Sequence, residues 1–198
     1  HKLAAYVITS LGIRLGAISP QTAPLYAQVR VNIGLWTIPA LLVLGLHIIL
    51  LRFLFERRGT PGYILIPVSI ALAVSIDTAV AMIDGGLRAL VEPYTRTGLE
   101  YYGDVPKVKG VREFLRDYVK IFDTLSGHSQ THPPGGVLFL WLVSKLFGRG
   151  LVQAAFSTIA FTSLTVIPVY LLARQLYGEE TARKALGLFL ITPNMVMF

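Results

Sequence analysis

Residues 63–83 read YILIPVSIALAVSIDTAVAMI, and the only charged side chain among them is Asp77. A helix needs about 20 apolar residues to cross the roughly 30 Å hydrocarbon core of a membrane. This stretch is therefore predicted to be a transmembrane helix. Ile33–Phe55 has the same character, with His47 and Arg52 as its strongly polar residues, and is predicted to be a second one.

Four further apolar runs extend this pattern. Leu151–Ala173 is long enough for a full span, and Ala185–Phe198 begins another. Leu3–Ile18 has about 16 residues, near the lower limit for a span, so it either crosses or lies in the interface. Pro133–Phe147 is similarly short and is predicted to be a short or tilted span. The sequence thus predicts an all-α fold, a polytopic bundle of transmembrane helices.

The composition agrees with a membrane protein. The chain of 198 residues is 54% hydrophobic and only 15% charged, against about 25% charged residues in soluble domains. Its net charge of +7 does not indicate a nucleic-acid partner, because the basic residues are scattered at the ends of apolar runs, where lipid head groups lie. The absence of cysteine excludes disulfides, thiol nucleophiles and cysteine metal sites.

Charge placement predicts the orientation. Arg57 and Arg58 follow the first clear span and argue for the cytoplasmic side, so residues 84–131 form a long extracytoplasmic loop. Residues 1–62 are interpreted as N-terminal membrane segments, and residues 63–198 as the core that includes this loop. His1 in place of Met, and an end inside an apolar run, predict a chain cut at both ends.

One group of charges conflicts with strict alternation of the spans. Arg174, Arg183 and Lys184 then fall outside, against the tendency of basic residues to stay in the cytoplasm. Either Pro133–Phe147 does not cross completely, or this turn is an exception.

The loop is predicted to carry one amphipathic helix between residues 111 and 122. Its apolar side chains recur with helical spacing, and charged side chains fill the opposite face. The apolar positions are Val111, Phe114, Leu115, Tyr118, Val119 and Phe122. Such a helix suits the membrane surface. The alternative, packing within a subdomain of the loop, needs apolar partners that the loop hardly offers.

Acidic and aromatic residues cluster earlier in the loop. Glu100 and Asp104 flank Tyr101, Tyr102 and Gly103. A carboxylate just above the membrane can accept the proton of an attacking hydroxyl group. The tyrosines fit an aromatic belt or a platform for a sugar ring. Acidic loop residues are more often only solvated, so catalysis and solvation both remain open on the pattern alone.

Two histidines precede a rigid helix start. His128 and His132 could ligate a metal, bind phosphate or cap a helix, but only Asp123 stands near them, and no metal site is predicted. Pro133 and Pro134 hold His132 extended and favour the first turn of a helix. The positive end of that helix would favour a nearby anion such as a phosphate.

Two aspartates lie at membrane depth or close to it. Asp77 and Asp84 are seven residues apart, which places them on one helix face about 10 Å apart along the axis. Charged residues inside a membrane are costly, and they mark either satisfied partners in the bundle or substrate pathways.

Several short segments together resemble a known family. They are Glu100-Tyr-Tyr, Thr131-His-Pro-Pro-Gly-Gly, Leu142-Val-Ser-Lys-Leu-Phe-Gly148, Val169-Tyr-Leu-Leu-Ala-Arg-Gln-Leu-Tyr-Gly178 and Leu190-Ile-Thr-Pro193. This order resembles the N-terminal half of GT-C superfamily membrane glycosyltransferases, closest to the protein O-mannosyltransferase and aminoarabinose-lipid A transferase branch. The resemblance covers about residues 63–198.

The resemblance implies a catalytic acid group in the first extracytoplasmic loop, a polyprenyl-phosphate sugar as donor, and inversion at the sugar carbon. Leu99 stands where the family has an Asp before the Glu that Glu100 matches. Asp104, one turn further on, is the natural replacement and ranks ahead of Glu100 as the expected base. His132 matches the histidine before Pro-Pro, and Lys107 or Arg112 would help it to stabilise the leaving phosphate. Tyr101, Tyr102 and His128 are expected to line the substrate site.

The sequence thus predicts a multi-pass glycosyltransferase of a prokaryotic cytoplasmic membrane, with its active loop facing outward. Its expected partners are the lipid-linked sugar, a hydroxyl-bearing protein, glycan or lipid, and membrane lipids, with no cofactor. The main alternative is a transporter or lipid-flipping protein that uses Asp77 and Asp84. A non-catalytic assembly subunit is the third.

Overall fold

A computed structural model describes residues 34–56 and 60–190 of the protein, and within them all regular structure is helical. The predicted segment Leu3–Ile18, the Arg57-Arg58 pair and the Ile191-Thr-Pro193 step lie outside the described residues. The all-α class is therefore confirmed for the part of the chain that can be described.

Nine α-helices and two 3₁₀ helices are described. The α-helices are α1 (Thr37–Glu56), α2 (Gly62–Ala81), α3 (Leu87–Thr95), α4 (Val111–Asp117), α5 (Gly127–Thr131), α6 (Gly135–Phe147), α7 (Leu151–Ser163), α8 (Val166–Tyr177) and α9 (Glu179–Leu190). The 3₁₀ helices are Tyr101–Lys107, between α3 and α4, and Phe122–Thr124, between α4 and α5.

Two of the helical stretches are long and apolar enough to cross a membrane. They are α2, and the 27-residue stretch Leu151–Tyr177, in which a turn at Leu164–Thr165 joins α7 to α8. The 13 residues of α6 rise only about 20 Å at 1.5 Å per residue, which is short of a full crossing. α1 also forms as predicted, with Thr37–Arg52 as an apolar helix of intermediate length. The number of crossings stays a prediction.

The largest buried cluster lies where α2, α8 and α9 meet. Leu65 and Leu72 of α2 pack there with Val166 and Tyr170 of α8 and with Leu186 of α9. Gly178, with φ of 83°, ends α8 in the left-handed region that glycine adopts freely, and α9 starts at the next residue. This turn lets α9 fold back along α8 and close the cluster.

The basic residues that conflicted with the alternation of spans are paired in the structure. Glu179 forms ion pairs with Arg174 at 3.2 Å and with Arg183 at 3.0 Å, and Lys184 pairs with Glu180 at 2.8 Å. Three cations therefore share this turn with two carboxylates, which leaves the α8–α9 turn with a smaller net positive charge than its basic residues alone would give.

The loop between α2 and α6 is packed more tightly than the sequence indicates. The amphipathic helix predicted for residues 111–122 ends at Asp117. The next residues form turns, in which the backbone N–H groups of Lys120 and Ile121 donate to the Asp117 carbonyl. The Tyr118 hydroxyl donates to the carbonyl oxygens of Ser129 and His132, which draws the chain towards α5. The prediction of one helix over the whole range was wrong.

The expectation that the loop offers few apolar partners was also wrong. Phe114 is buried against Val108, Leu125 and Val137, and Tyr118 packs beside it. The remaining apolar side chains of the predicted stripe, Val111, Leu115, Val119 and Phe122, stay exposed. The loop therefore has a small core of its own, and only part of the apolar face points away from it.

Candidate functional site

The candidate site is built where two distant parts of the loop pair through their backbones. The N–H of Gly127 donates to the carbonyl of Gly98 at 3.1 Å, and the N–H of His128 donates to the carbonyl of Leu99 at 2.9 Å. These two bonds hold the start of α5 against the residues before the 3₁₀ helix Tyr101–Lys107. Glu100 and His128, 28 residues apart in sequence, thereby become neighbours.

Glu100 and His128 form the central polar contact of the site. His128 Nδ1 lies 3.1 Å from Glu100 Oε2, and the side chains are 40% and 22% exposed, respectively. Glu100 is the N-cap residue of the 3₁₀ helix, but its side chain makes no capping hydrogen bond. A carboxylate that is partly open to solvent and held by an imidazole can accept a proton from a bound hydroxyl group.

Tyr101 and the two histidines make an aromatic cluster around this pair. The ring centroid of Tyr101 lies 5.7 Å from His128 and 6.2 Å from His132, and the two imidazoles are 5.9 Å apart. A Cβ at Gly136, in the first turn of α6, would come within 3.2 Å of the Tyr101 ring, so glycine allows this close approach. Burial and the charge of Glu100 raise the pKa of Tyr101, which keeps its hydroxyl protonated.

Asp104 has a different environment from Glu100. Its side chain is only 2% exposed and accepts hydrogen bonds from Lys107 Nζ at 2.7 Å and from the Ser126 N–H at 2.8 Å. Burial alone would raise the pKa of Asp104, but hydrogen bonds from Lys107, Ser129 and Ser126 outweigh burial and lower it. Asp104 thus joins the 3₁₀ helix to α5 as an ionised, fully bonded anchor.

The two predicted phosphate-binding cations lie apart from Glu100. Lys107 is held between the Asp104 carboxylate and the Thr124 carbonyl oxygen. Arg112 is exposed in the first turn of α4, and within residues 34–56 and 60–190 no hydrogen bond joins it to Glu100 or to the histidines. Of the predicted phosphate-binding residues, His132 alone is exposed next to the Glu100–His128 pair.

Tyr102 faces the other side of the loop. Its ring meets Tyr94 of α3 edge to face, with centroids 6.1 Å apart. Tyr94 in turn lines a cavity between α2, α3 and α7, which also contains the side chain of Asp77. Asp84 is exposed in the turn after α2 and does not line this cavity. The two aspartates that the sequence grouped on one helix face therefore have different surroundings.

Several residues that build the site were not predicted. Ser126 and Ser129 hold Asp104, and Tyr94 connects the loop to the cavity. A serine followed by glycine just before α5 is a helix-start signal that would have drawn attention to Ser126. Nothing in the sequence links Ser129 to Asp104, because their contact depends on how the loop folds. Within the described residues, no three acidic or histidine side chains form a metal-ligand group.

Part of the chain matches a known protein family. Residues 131–198, about a third of the chain, match the family model described as dolichyl-phosphate-mannose-protein mannosyltransferase, which belongs to the GT-C superfamily. The matched segment starts at the Thr131-His132 step and includes α6 to α9. The match supports the resemblance to membrane glycosyltransferases of the GT-C type, and together with the two apolar helices it indicates an integral membrane protein. No curated protein and no solved structure matches the chain.

Proposed function

We propose that the protein is a multi-pass membrane glycosyltransferase that moves a sugar from a polyprenyl phosphate to a hydroxyl group on the outer face of the membrane. Three observations support this proposal: the family match of residues 131–198, the apolar helices on both sides of the loop, and the Glu100–His128 pair inside it. The pair carries the mechanism, because it offers a carboxylate that is accessible to an acceptor.

Glu100 is the proposed general base. The sequence ranked Asp104 first, but its three sets of hydrogen bonds and its lowered pKa make it a poor proton acceptor. Glu100 accepts the proton of the acceptor hydroxyl while the hydroxyl oxygen attacks the anomeric carbon of the sugar. The bond from that carbon to the phosphate oxygen breaks, polyprenyl phosphate leaves, and the configuration at the carbon inverts. General-base assistance of this kind contributes about 10²–10⁴-fold to a rate.

His128 positions the base, and His132 is the residue proposed to bind the leaving phosphate. The 3.1 Å contact of His128 fixes one oxygen of Glu100 and leaves the other for the acceptor. His132 is exposed and is separated by two prolines from α6, whose first turn presents the N–H groups of Gly135 and Gly136. The partial positive charge of a helix start, next to an imidazole, stabilises a phosphate anion.

The aromatic side chains would form the walls of the sugar site. Tyr101 packs on both imidazoles, and Tyr102 packs on Tyr94 of α3. Such rings offer an apolar face to the C–H groups of a sugar and a hydroxyl to its oxygens.

The test replaces each carboxylate in the intact protein. Glu100→Gln keeps the shape of the side chain but cannot accept the proton, so sugar transfer from a polyprenyl-phosphate donor should fall by at least about 100-fold. Donor binding should persist in the same variant. Glu113→Gln, on the exposed face of α4, is the matched control and should retain transfer. Transfer at the control level in Glu100→Gln would show that this base is wrongly assigned.

A transport function is the second candidate, because Asp77 is buried beside a cavity near the end of the apolar helix α2. Charged groups in such places mark substrate pathways in transporters. A transporter would lose activity in Asp77→Asn and keep it in Glu100→Gln. A glycosyltransferase would lose sugar transfer in Glu100→Gln, so the two variants separate the functions.

A further inference from the structure

The cavity beside Asp77 has no role in the mechanism above. It has a volume of about 210 Å³ and lies between α2, α3 and α7. Its polar lining consists of Asp77, Tyr94, Thr158 and Thr162, and Leu90 and Ala155 are among its apolar walls. Asp77 is four residues from the end of α2, about 6 Å along the helix axis, so the cavity lies close to the level of the membrane surface.

The cavity is lined by hydrogen-bond acceptors. Asp77 is 4% exposed, and neither of its carboxylate oxygens has a hydrogen-bond partner among the described residues. The Thr158 hydroxyl donates its hydrogen to the Ala154 carbonyl, and the Thr162 hydroxyl donates to carbonyls of its own helix. Tyr94 is hydrogen-bonded to Thr158. The Tyr94 hydroxyl therefore donates to the Thr158 oxygen, and the three hydroxyl hydrogens are occupied. The Asp77 carboxylate, the Thr162 oxygen and one lone pair of Thr158 remain open.

The carboxylate also lacks a counter-charge. No Lys, Arg or His forms an ion pair with Asp77 within residues 34–56 and 60–190. A buried ionised carboxylate without a charged or hydrogen-bonding partner is strongly disfavoured, so such groups are normally neutralised by a proton, paired or bound to a ligand. A ligand that suits this cavity brings one positive charge and several N–H donors together.

We propose that the Asp77 cavity binds a primary ammonium group. An ammonium carries one positive charge and three N–H donors, which match the open Asp77 carboxylate and the acceptor oxygens of Thr158 and Thr162. A sugar hydroxyl would supply the donors without the charge. A Ca²⁺ ion needs six to eight oxygen ligands, more than these side chains present. A water molecule occupies about 30 Å³ of liquid, so the cavity has room for an ammonium with a short substituent.

Methylammonium is the direct probe of this site. Thermal unfolding of the intact protein in neutral detergent is followed while methylammonium chloride is added, with sodium chloride at equal ionic strength as the reference. A ligand that binds only the folded state raises the midpoint in a saturable way. We expect such a rise with methylammonium. Tetramethylammonium should give none, because it has the charge but no N–H donor.

Variants test whether the effect comes from the cavity. Asp77→Asn removes the charge with little change in volume, and it should still fold because it removes an uncompensated buried carboxylate. It should weaken methylammonium binding at least tenfold. Asp123→Asn, an exposed carboxylate of the loop, is the control and should leave binding unchanged. Thr162→Val, which keeps the carboxylate, should weaken binding by a smaller factor.

Two arms of the experiment separate the sources of the ammonium. Phosphatidylethanolamine in nanodiscs should abolish the further rise with methylammonium if the site takes a lipid head group, whereas phosphatidylcholine should not. If the rise persists in both lipids, the site takes a soluble amine. Equal rises with methylammonium and tetramethylammonium, or an undiminished rise in Asp77→Asn, would overturn the proposal. Both measurements are independent of sugar transfer.

Discussion

Two carboxylates four residues apart show how strongly the surroundings decide what a residue can do. Glu100 and Asp104 stand on either side of a Tyr-Tyr-Gly step, and the sequence ranked Asp104 ahead of Glu100 as the expected base. In the structure Glu100 keeps one imidazole contact and partial exposure, whereas Asp104 is buried among donors. The first can exchange a proton with a ligand, and the second holds the loop together.

Asp104→Asn should destabilise the protein in a pH-dependent way. The folded state lowers the pKa of Asp104 below its usual value of 3.8, so its stabilising effect is complete above about pH 5. The effect is lost as the pH falls through the lowered folded pKa. At pH 7 the substitution should lower the free energy of unfolding by about 1.5–3 kcal/mol, as for hydrogen bonds to a charged group.

Unfolding of wild type and variant between pH 7 and pH 3 measures this difference. The gap between the two proteins should be largest at neutral pH and should shrink on acidification below the usual pKa. Asp123→Asn, at an exposed position, is the control. A gap that does not change with pH would contradict the ionised, hydrogen-bonded state of Asp104.

At the scale of helices, glycine decides where segments can approach one another. Gly103 sits in the middle of the 3₁₀ helix, and a Cβ at this position would overlap the backbone of Thr97. A β-carbon there cannot be relieved by a rotamer change, because the obstacle is backbone. The close approach of the segments around Thr97 and Gly103 therefore depends on glycine at position 103.

Gly103→Ala should loosen the loop. Forcing an extra methyl into a packed region costs about 1–3 kcal/mol. We expect faster limited proteolysis within residues 98–128 and a lower unfolding midpoint. Gly110→Ala is the matched control, because a Cβ there has no neighbour within 4 Å and the residue is in extended conformation. Equal proteolysis rates in the two variants would refute the steric reason.

The helices also show what could be predicted from the sequence. Long apolar runs predicted α1, α2 and the Leu151–Tyr177 stretch, because their length and apolar character depend on local residues only. The end of α4 could not be predicted in this way. It depends on the Tyr118 hydroxyl reaching carbonyl groups 11 and 14 residues ahead, and periodicity carries no information about such contacts.

The sequence predicted which loop carries the candidate site, but not the contacts between its residues. The sequence placed Glu100, Tyr101, His128 and His132 in one loop, and the structure brings these four together. The choice between Glu100 and Asp104 as the proposed base depends on Ser126 and Ser129, which donate hydrogen bonds to Asp104. These contacts form only when the backbone of residues 98–99 meets that of residues 127–128.

At the scale of the whole described core, one buried junction connects α2, α8 and α9. The Tyr170 hydroxyl, buried at the junction, donates to Glu179 at 2.8 Å, and Arg183 binds both Glu179 and the Thr60 carbonyl oxygen. The chain just before α2 is thereby attached to α9, more than 100 residues later. Thr60 precedes the start of α2, whereas the loop with the candidate site follows the end of α2. The network and the candidate site therefore lie beyond opposite ends of this helix.

Glu179→Gln should weaken this junction. It leaves Arg183 and the Tyr170 hydroxyl with a neutral partner, and the free energy of unfolding should fall by about 1–3 kcal/mol. Glu180→Gln disturbs only the exposed pair with Lys184 and should cost less than about 1 kcal/mol. Unfolding midpoints of the two variants, measured in one detergent, test the difference. A larger effect of Glu180→Gln would contradict it.

The paired backbones at Gly98–Leu99 and Gly127–His128 have an evolutionary consequence. Both ends of the intervening excursion are tied at one place, so its closure entropy changes only slowly with its length. The exposed positions of this excursion, such as Arg112, Leu115 and Val119, can thus be exchanged without moving Glu100 from His128, whereas Phe114 and Tyr118 hold the core of the loop. Relatives of this chain could diversify the acceptors they recognise by changing those exposed positions, while the proposed reaction centre stays as it is.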